Sequence, residues 1–130
     1  LSDAPVGMTS HVLYTAWDAD NPATQSPIVI DRIIRKRIGF SGLLLTDDID
    51  MQALSGPVPE RSAKALAAGC DLVLNCWAKM DDMIGIADTC PAMLPETAAR
   101  LERALAVTGE ASGDREHLIA KRDSLLELAA

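Results

Sequence analysis

At 130 residues, 48% hydrophobic and 24% charged, the chain has the profile of a globular domain with enough apolar residues for one core. Nineteen acids against 12 bases give a net charge of -7, which repels nucleic-acid phosphates and argues against such a partner. Three cysteines without CxxC spacing, Cys70, Cys76 and Cys90, indicate neither a disulfide framework nor a zinc site; reduced thiols in a cytoplasm suit them best. No apolar run approaches the roughly 20 residues of a membrane span, so no membrane partner is expected. Leu1 rather than Met leads almost directly into a strand-like run, as in a fragment or processed product.

In chain order, Val6 to Tyr14 is β-rich, interrupted by Gly7, and carries Ser10 and His11 toward a strand end. Trp17 to Gln25 is a polar loop in which Asp18 and Asp20 read as loop-stabilising residues. Ser26 and Pro27 open a helix as N-cap and first helical residue. Ile30, Ile33, Ile34 and Ile38 follow at helical spacing, Arg32, Arg35, Lys36 and Arg37 form a solvated face, and Gly39 ends the element. Leu43, Leu44 and Leu45 lack the alternation of a half-wet strand, which predicts a strand buried on both faces, as in a parallel sheet. A loop from Met51 to Pro59, a helix over about Glu60 to Ala68 and a second buried strand, Asp71 to Cys76, complete the alternation. Beyond Trp77 the pattern turns helical, with segments over about Lys79 to Thr89, Pro95 to Val107 and Asp114 to Leu128. Gly109 to Gly113 reads as a flexible connection, so residues 1–108 are expected to form the domain and 109–130 a linker and helix.

The acidic run Asp47, Asp48, Asp50 stands where the three-leucine strand stops. In parallel α/β sheets the carboxyl ends of the strands carry ligands and catalytic side chains, which makes Asp47 the first candidate for chemistry. On pattern alone a polar loop with one Asp capping the next helix fits equally well. A third reading makes Asp47, Asp48 and Asp50 oxygen ligands of Mg²⁺ in a metal-dependent or phosphate-handling domain, but no Gly-rich phosphate loop accompanies them. A non-catalytic interaction module is a fourth, marked by an exposed apolar sheet face.

Ile33-Ile34-Arg35-Lys36-Arg37, four residues, then Gly42-Leu-Leu-Leu-Thr-Asp47, two residues and Asp50 resemble the active-site signature of family 3 glycoside hydrolases. Met8-Thr-Ser-His11-Val-Leu-Tyr14, Asp20-Asn-Pro-Ala-Thr24, Gly39-Phe40-Ser-Gly42 and Ala68-Gly-Cys-Asp71 narrow the resemblance to the carboxyl-terminal part of bacterial β-N-acetylhexosaminidases of the NagZ type, from about Pro5 to Ala106. The resemblance implies about three βα units of a (β/α)8 TIM barrel followed by helices. It implies a cytoplasmic retaining hydrolase that removes terminal β-linked N-acetylglucosamine from peptidoglycan fragments, among them N-acetylglucosaminyl-anhydromuramic acid, with no cofactor and no metal. Asp47 occupies the nucleophile's place, and as a nucleophile it must be ionised at neutral pH, so donors near the strand end are expected. The family's Lys-His-x-Pro-Gly motif and the Asp-x-His pair that protonates the leaving group are absent from these residues. The chain alone is therefore expected to be inactive, and its partner is the missing amino-terminal portion of the barrel, roughly 200 residues. His11, in a Ser-His motif at the preceding strand end, is expected on the pocket wall or as a hydrogen-bonded structural residue. Asp48, Met51 and Trp17 are expected as substrate-binding residues; Asp48 could instead orient a neighbour and Met51 pack beneath the loop. Trp77 is placed to stack on a sugar or to cover a rim, and His117 reads as surface.

Overall fold

A computed structural model describes residues 2–107 and 114–128. Three strands, β1 (Val6–Met8), β2 (Leu43–Asp48) and β3 (Leu72–Leu74), form one sheet in the order β1-β2-β3, with both pairings parallel. Parallel neighbours need crossovers. A single turn, Ala23–Gln25, and the helix Ile28–Arg37 join β1 to β2, and α1 (Val58–Ala68) joins β2 to β3. Three helices follow: α2 (Met80–Thr89), α3 (Pro95–Ala106) and α4 (Arg115–Glu127). The expected α/β alternation is present. The connection expected at Gly109 to Gly113, and with it the boundary at residue 108, lies outside the described residues.

β1 is much shorter than the Val6 to Tyr14 run. Beyond Met8 the Thr9 N–H still reaches the Leu45 carbonyl at 2.9 Å, but then the backbone turns to Ala23 and Thr24, which donate to Val12 (2.9 Å) and Ser10 (3.2 Å). The helix Ile28–Arg37 starts as its sequence predicts: Ser26 Oγ accepts the Val29 N–H at 3.0 Å and the Ser26 carbonyl accepts that of Ile30 at 3.0 Å. It is wound as a π-helix, ending on a bond from Ile38 N–H to the Ile33 carbonyl of 2.8 Å, where the isoleucine spacing predicts an α-helix.

The core lies between one face of the sheet and the helices, built from Ile30, Phe40, Leu44, Ile49, Leu54 and Ala65. Gly42 permits the close entry into β2: a Cβ there would stand 2.8 Å from the Phe40 ring and 2.8 Å from the Pro5 carbonyl oxygen. Gly69, at φ +113°, ends α1 in the left-handed conformation that glycine adopts without steric cost. On the opposite sheet face Val6 and Met8, in register with Leu43 and Leu45, are 42% and 55% exposed.

At the amino end of the strands Asp71 ties the layers together. Its carboxylate accepts from Arg35 (2.6 Å), Arg100 (2.6 Å), Thr97 Oγ1 (3.0 Å) and the Leu44 N–H (2.9 Å), which joins the helix Ile28–Arg37, β2, β3 and α3. Burial alone would raise the Asp71 pKa, but the Leu44 amide and the two guanidinium groups outweigh it and hold the carboxyl below its ordinary value. Arg35 also donates to the carbonyls of Phe40 and Gly42. It therefore leaves the solvated face expected for the four bases of its helix. Lys36 stays on that face, in a surface pair with Asp31.

Candidate active site

In a parallel sheet all strands deliver their carboxyl ends to one side, so His11, the Asp47 to Asp50 run and the β3–α2 loop, residues 75–79, gather there. The β2–β3 register shifts at this end. Leu45 pairs with Leu72 and Asp48 with Leu74, so β2 places Thr46 and Asp47 opposite the single residue Val73. Buried Thr46 repairs the ladder by accepting the Leu74 N–H on Oγ1 at 2.9 Å. Such bulges re-aim side chains beside active sites, and this one falls on Asp47.

The three acids have unlike surroundings. Asp48 Oδ1 accepts the N–H of Cys76 (3.1 Å) and of Asp50 (3.2 Å), and Asp50 Oδ2 accepts that of Trp77 (3.2 Å). Partial burial raises the Asp48 pKa, and these amides more than offset it, leaving the carboxyl below its usual value. Asp48 and Asp50 thus staple the β3–α2 loop to the end of β2. Asn75 Oδ1, accepting from Ala78 N–H at 2.7 Å, closes the same loop around Ala78, whose φ is +48°. Asp47 is half-buried, and among the described residues its carboxylate has one hydrogen bond, from the Asp48 N–H to Oδ1 at 2.8 Å.

This division weighs against both alternatives for the acidic run. No Asp of the three caps α1, whose first turn is preceded by Pro57 with no side-chain cap. Among the described residues no group of three His, Cys, Asp or Glu side chains is placed to hold a metal ion, and Asp48 and Asp50 each turn one oxygen toward backbone amides.

His11 is half-buried, with Nδ1 2.8 Å from Thr24 Oγ1 and Nε2 2.8 Å from the Asp48 carbonyl oxygen. Trp17 is 42% exposed and stacked obliquely on Tyr14, with ring centroids 5.4 Å apart. Met51 is exposed rather than packed beneath the loop. Trp77 is exposed and covered on one face by the Lys79 ammonium, 5.1 Å from the ring centroid. His117 lies on the surface of α4, and the Asp114 side chain caps that helix.

Asp18 is buried and is a loop-stabilising residue as expected. It accepts from Ser26 Oγ (2.6 Å) and from the N–H groups of Asp20 and Asn21, and the Ser26 hydroxyl leads in lowering its pKa from 3.8 to about 2. The thiols are not activated: burial pushes Cys70 up to about 12, while desolvation and then the Asp48 charge raise Cys76, which is exposed.

A family model described as the glycosyl hydrolase family 3 N terminal domain matches residues 1–107. The β-hexosaminidase of Chromobacterium violaceum is 40% identical over 135 aligned positions, which take in 100% of this chain and 37% of that protein. That of Vibrio cholerae is 37% identical over 100 positions, 74% of this chain and 29% of that one. Among solved structures, NagZ from Neisseria gonorrhoeae superposes with a TM-score of 0.64 at 30% identity, over 88% of this chain and 31% of the other. A family 3 β-N-acetylglucosaminidase from Paenibacillus gives 0.67 at 27% identity, over 85% and 25%. The chain thus spans little more than a third of the first of these relatives, 37%, and less than a third of the second, 29%. On the family match and these likenesses, the chain belongs to glycosyl hydrolase family 3 and sides with its NagZ-type hexosaminidases.

Proposed function

We propose that this chain supplies the nucleophile of a retaining β-N-acetylhexosaminidase, and that the nucleophile is Asp47. The observation that carries the reading is the division of labour at the end of β2: two acids hold the neighbouring loop, and Asp47, on the bulge, keeps lone pairs free. The names of the relatives support the reaction class, and those of the structural neighbours the amino sugar.

In the proposed reaction an Asp47 carboxylate oxygen bonds to the anomeric carbon as the glycosidic C–O bond breaks, and the leaving oxygen takes a proton from an acid outside these residues. Water then attacks the anomeric carbon of the glycosyl ester, expels the Asp47 carboxylate and gives its proton to the conjugate base of that same acid, returning the sugar with its configuration retained. Trp17 and Met51, exposed on the same side of the sheet, are the residues proposed to meet the sugar. Asp48 contributes by shaping the rim, since its Oδ1 holds two amides.

The remaining strands are proposed to come from an amino-terminal portion that closes a (β/α)8 barrel over the Val6 and Met8 face. The substrates would be peptidoglycan fragments such as N-acetylglucosaminyl-anhydromuramic acid, handled in the cytoplasm. Among the described residues no helix is long and apolar enough to cross a membrane. In the complete enzyme Asp47→Ala should abolish turnover of an aryl N-acetylglucosaminide; unchanged turnover would contradict the assignment.

A further inference from the structure

We infer that His11 is a positioning residue for the nucleophile rather than part of the pocket wall; this rests on the glycosidase reading above. The Asp48 carbonyl can only accept, so His11 Nε2 carries a hydrogen and donates it. In the neutral ring Nδ1 is then an acceptor, and the hydroxyl 2.8 Å away is that of Thr24. Both nitrogens are spent on the protein, which leaves none for a sugar hydroxyl.

Each end of this bridge is anchored. Thr24 is fully buried; with its single proton directed at His11 Nδ1, its Oγ1 accepts from the Thr9 hydroxyl at 2.8 Å, and its backbone N–H reaches the Ser10 carbonyl at 3.2 Å. Thr9 in turn donates its N–H to Leu45 of β2. At the other end, the Asp48 carbonyl that His11 holds belongs to the residue whose N–H is the donor to Asp47 Oδ1. Fixing that carbonyl restrains the backbone that aims the amide at the nucleophile. Without His11 the Asp48 carbonyl itself would keep, among the described residues, the Met51 N–H alone, at 3.1 Å.

Two conservative variants separate the ends of the bridge. Gln can place its Nε2 where the His Nε2 donates, and Asn can place its Oδ1 where the His Nδ1 accepts. In the complete enzyme, with an aryl N-acetylglucosaminide, His11→Ala should lower kcat by roughly 10 to 100-fold through misplacement of the reacting group, with KM changed less than about threefold. His11→Gln should recover most of kcat and His11→Asn little of it, at matched melting temperatures. A raised KM with kcat unchanged would make His11 a sugar contact, and equal kcat for Gln and Asn would make it a plain structural residue; either result overturns the inference. If His11→Ala does not fold, the Gln and Asn pair decides alone. If the wild-type complete enzyme lacks turnover, the glycosidase reading fails instead. Nitrogen NMR of the His11 ring then reads the clamp by itself, a protonated, slowly exchanging Nε2 supporting it and a solvent-exchanging one contradicting it.

Discussion

Asp71 and Asp47 stand at opposite ends of the same three-stranded sheet and have opposite surroundings. Asp71, whose side chain is 2% exposed, is held by two arginines, a threonine hydroxyl and a backbone amide from three elements. Asp47 is half-buried and receives one amide, from its own neighbour. A carboxylate whose lone pairs are all spent can only hold structure, whereas one with free lone pairs beside a register shift can bond to something that arrives. The sheet therefore separates a stabilising end from the end where the proposed nucleophile stands, the side on which parallel α/β sheets commonly bind ligands.

Substitutions should break this contrast in a set order. Replacing Asp47 with Asn, in the complete enzyme, is expected to cost turnover by roughly 10³-fold or more, while the melting temperature barely moves because one exposed-side hydrogen bond changes. Asp71→Ala should do the reverse. It leaves two guanidinium groups and the Leu44 amide without their acceptor, at about 3 kcal/mol of stability. That is the lower end of the usual range, because Arg35 and Arg100 keep 16% and 28% of their side-chain surface in water. Denaturant unfolding reads the loss, and activity per folded molecule should stay near wild type. Asp48→Ala should cost less, about 1 to 3 kcal/mol for two orphaned amides, and should loosen the β3–α2 loop, seen as faster amide exchange at Cys76.

The smallest expected effect is pH-dependent. The folded Asp18 carboxyl sits at about 2 against an ordinary 3.8, so its contribution is full above pH 3.8 and is lost as pH falls toward 2. Asp18→Asn should flatten the acid limb of a stability-against-pH curve in that window. An unchanged limb would show that the Ser26 contact does not stabilise the ionised form.

Much of the fold was legible. Leu43 to Leu45 read as a buried strand because burial on both faces removes alternation, and Ser26 with Pro27 marked a helix start because capping is a local interaction. Gly39 marked a stop for a similar reason. What local pattern cannot carry is partnership between distant residues. Arg35 looked like one of four surface bases, and only the arrival of Asp71, 36 residues away, buries it. The length of β1 was overread for the same reason: Val12 to Tyr14 have strand-forming side chains, but beyond Thr9 the backbone turns to Ala23 and Thr24 instead of following β2.

The site was legible in part. Asp47 followed from its place after a buried strand, and its family motif gave it a role to test. The bulge did not, since two residues opposite one is a relation between strands. Nor did the separate duties of Asp48 and Asp50, which depend on amides at Cys76 and Trp77. For His11 the sequence left wall and scaffold open, and a carbonyl acceptor has no side-chain signature that sequence could reveal.

Covalent trapping tests the central claim most directly. The complete enzyme, treated with a fluorinated N-acetylglucosamine analogue and digested, should yield one glycosylated peptide with the adduct on Asp47. An adduct on another residue, or product release with no adduct formed, would contradict the account.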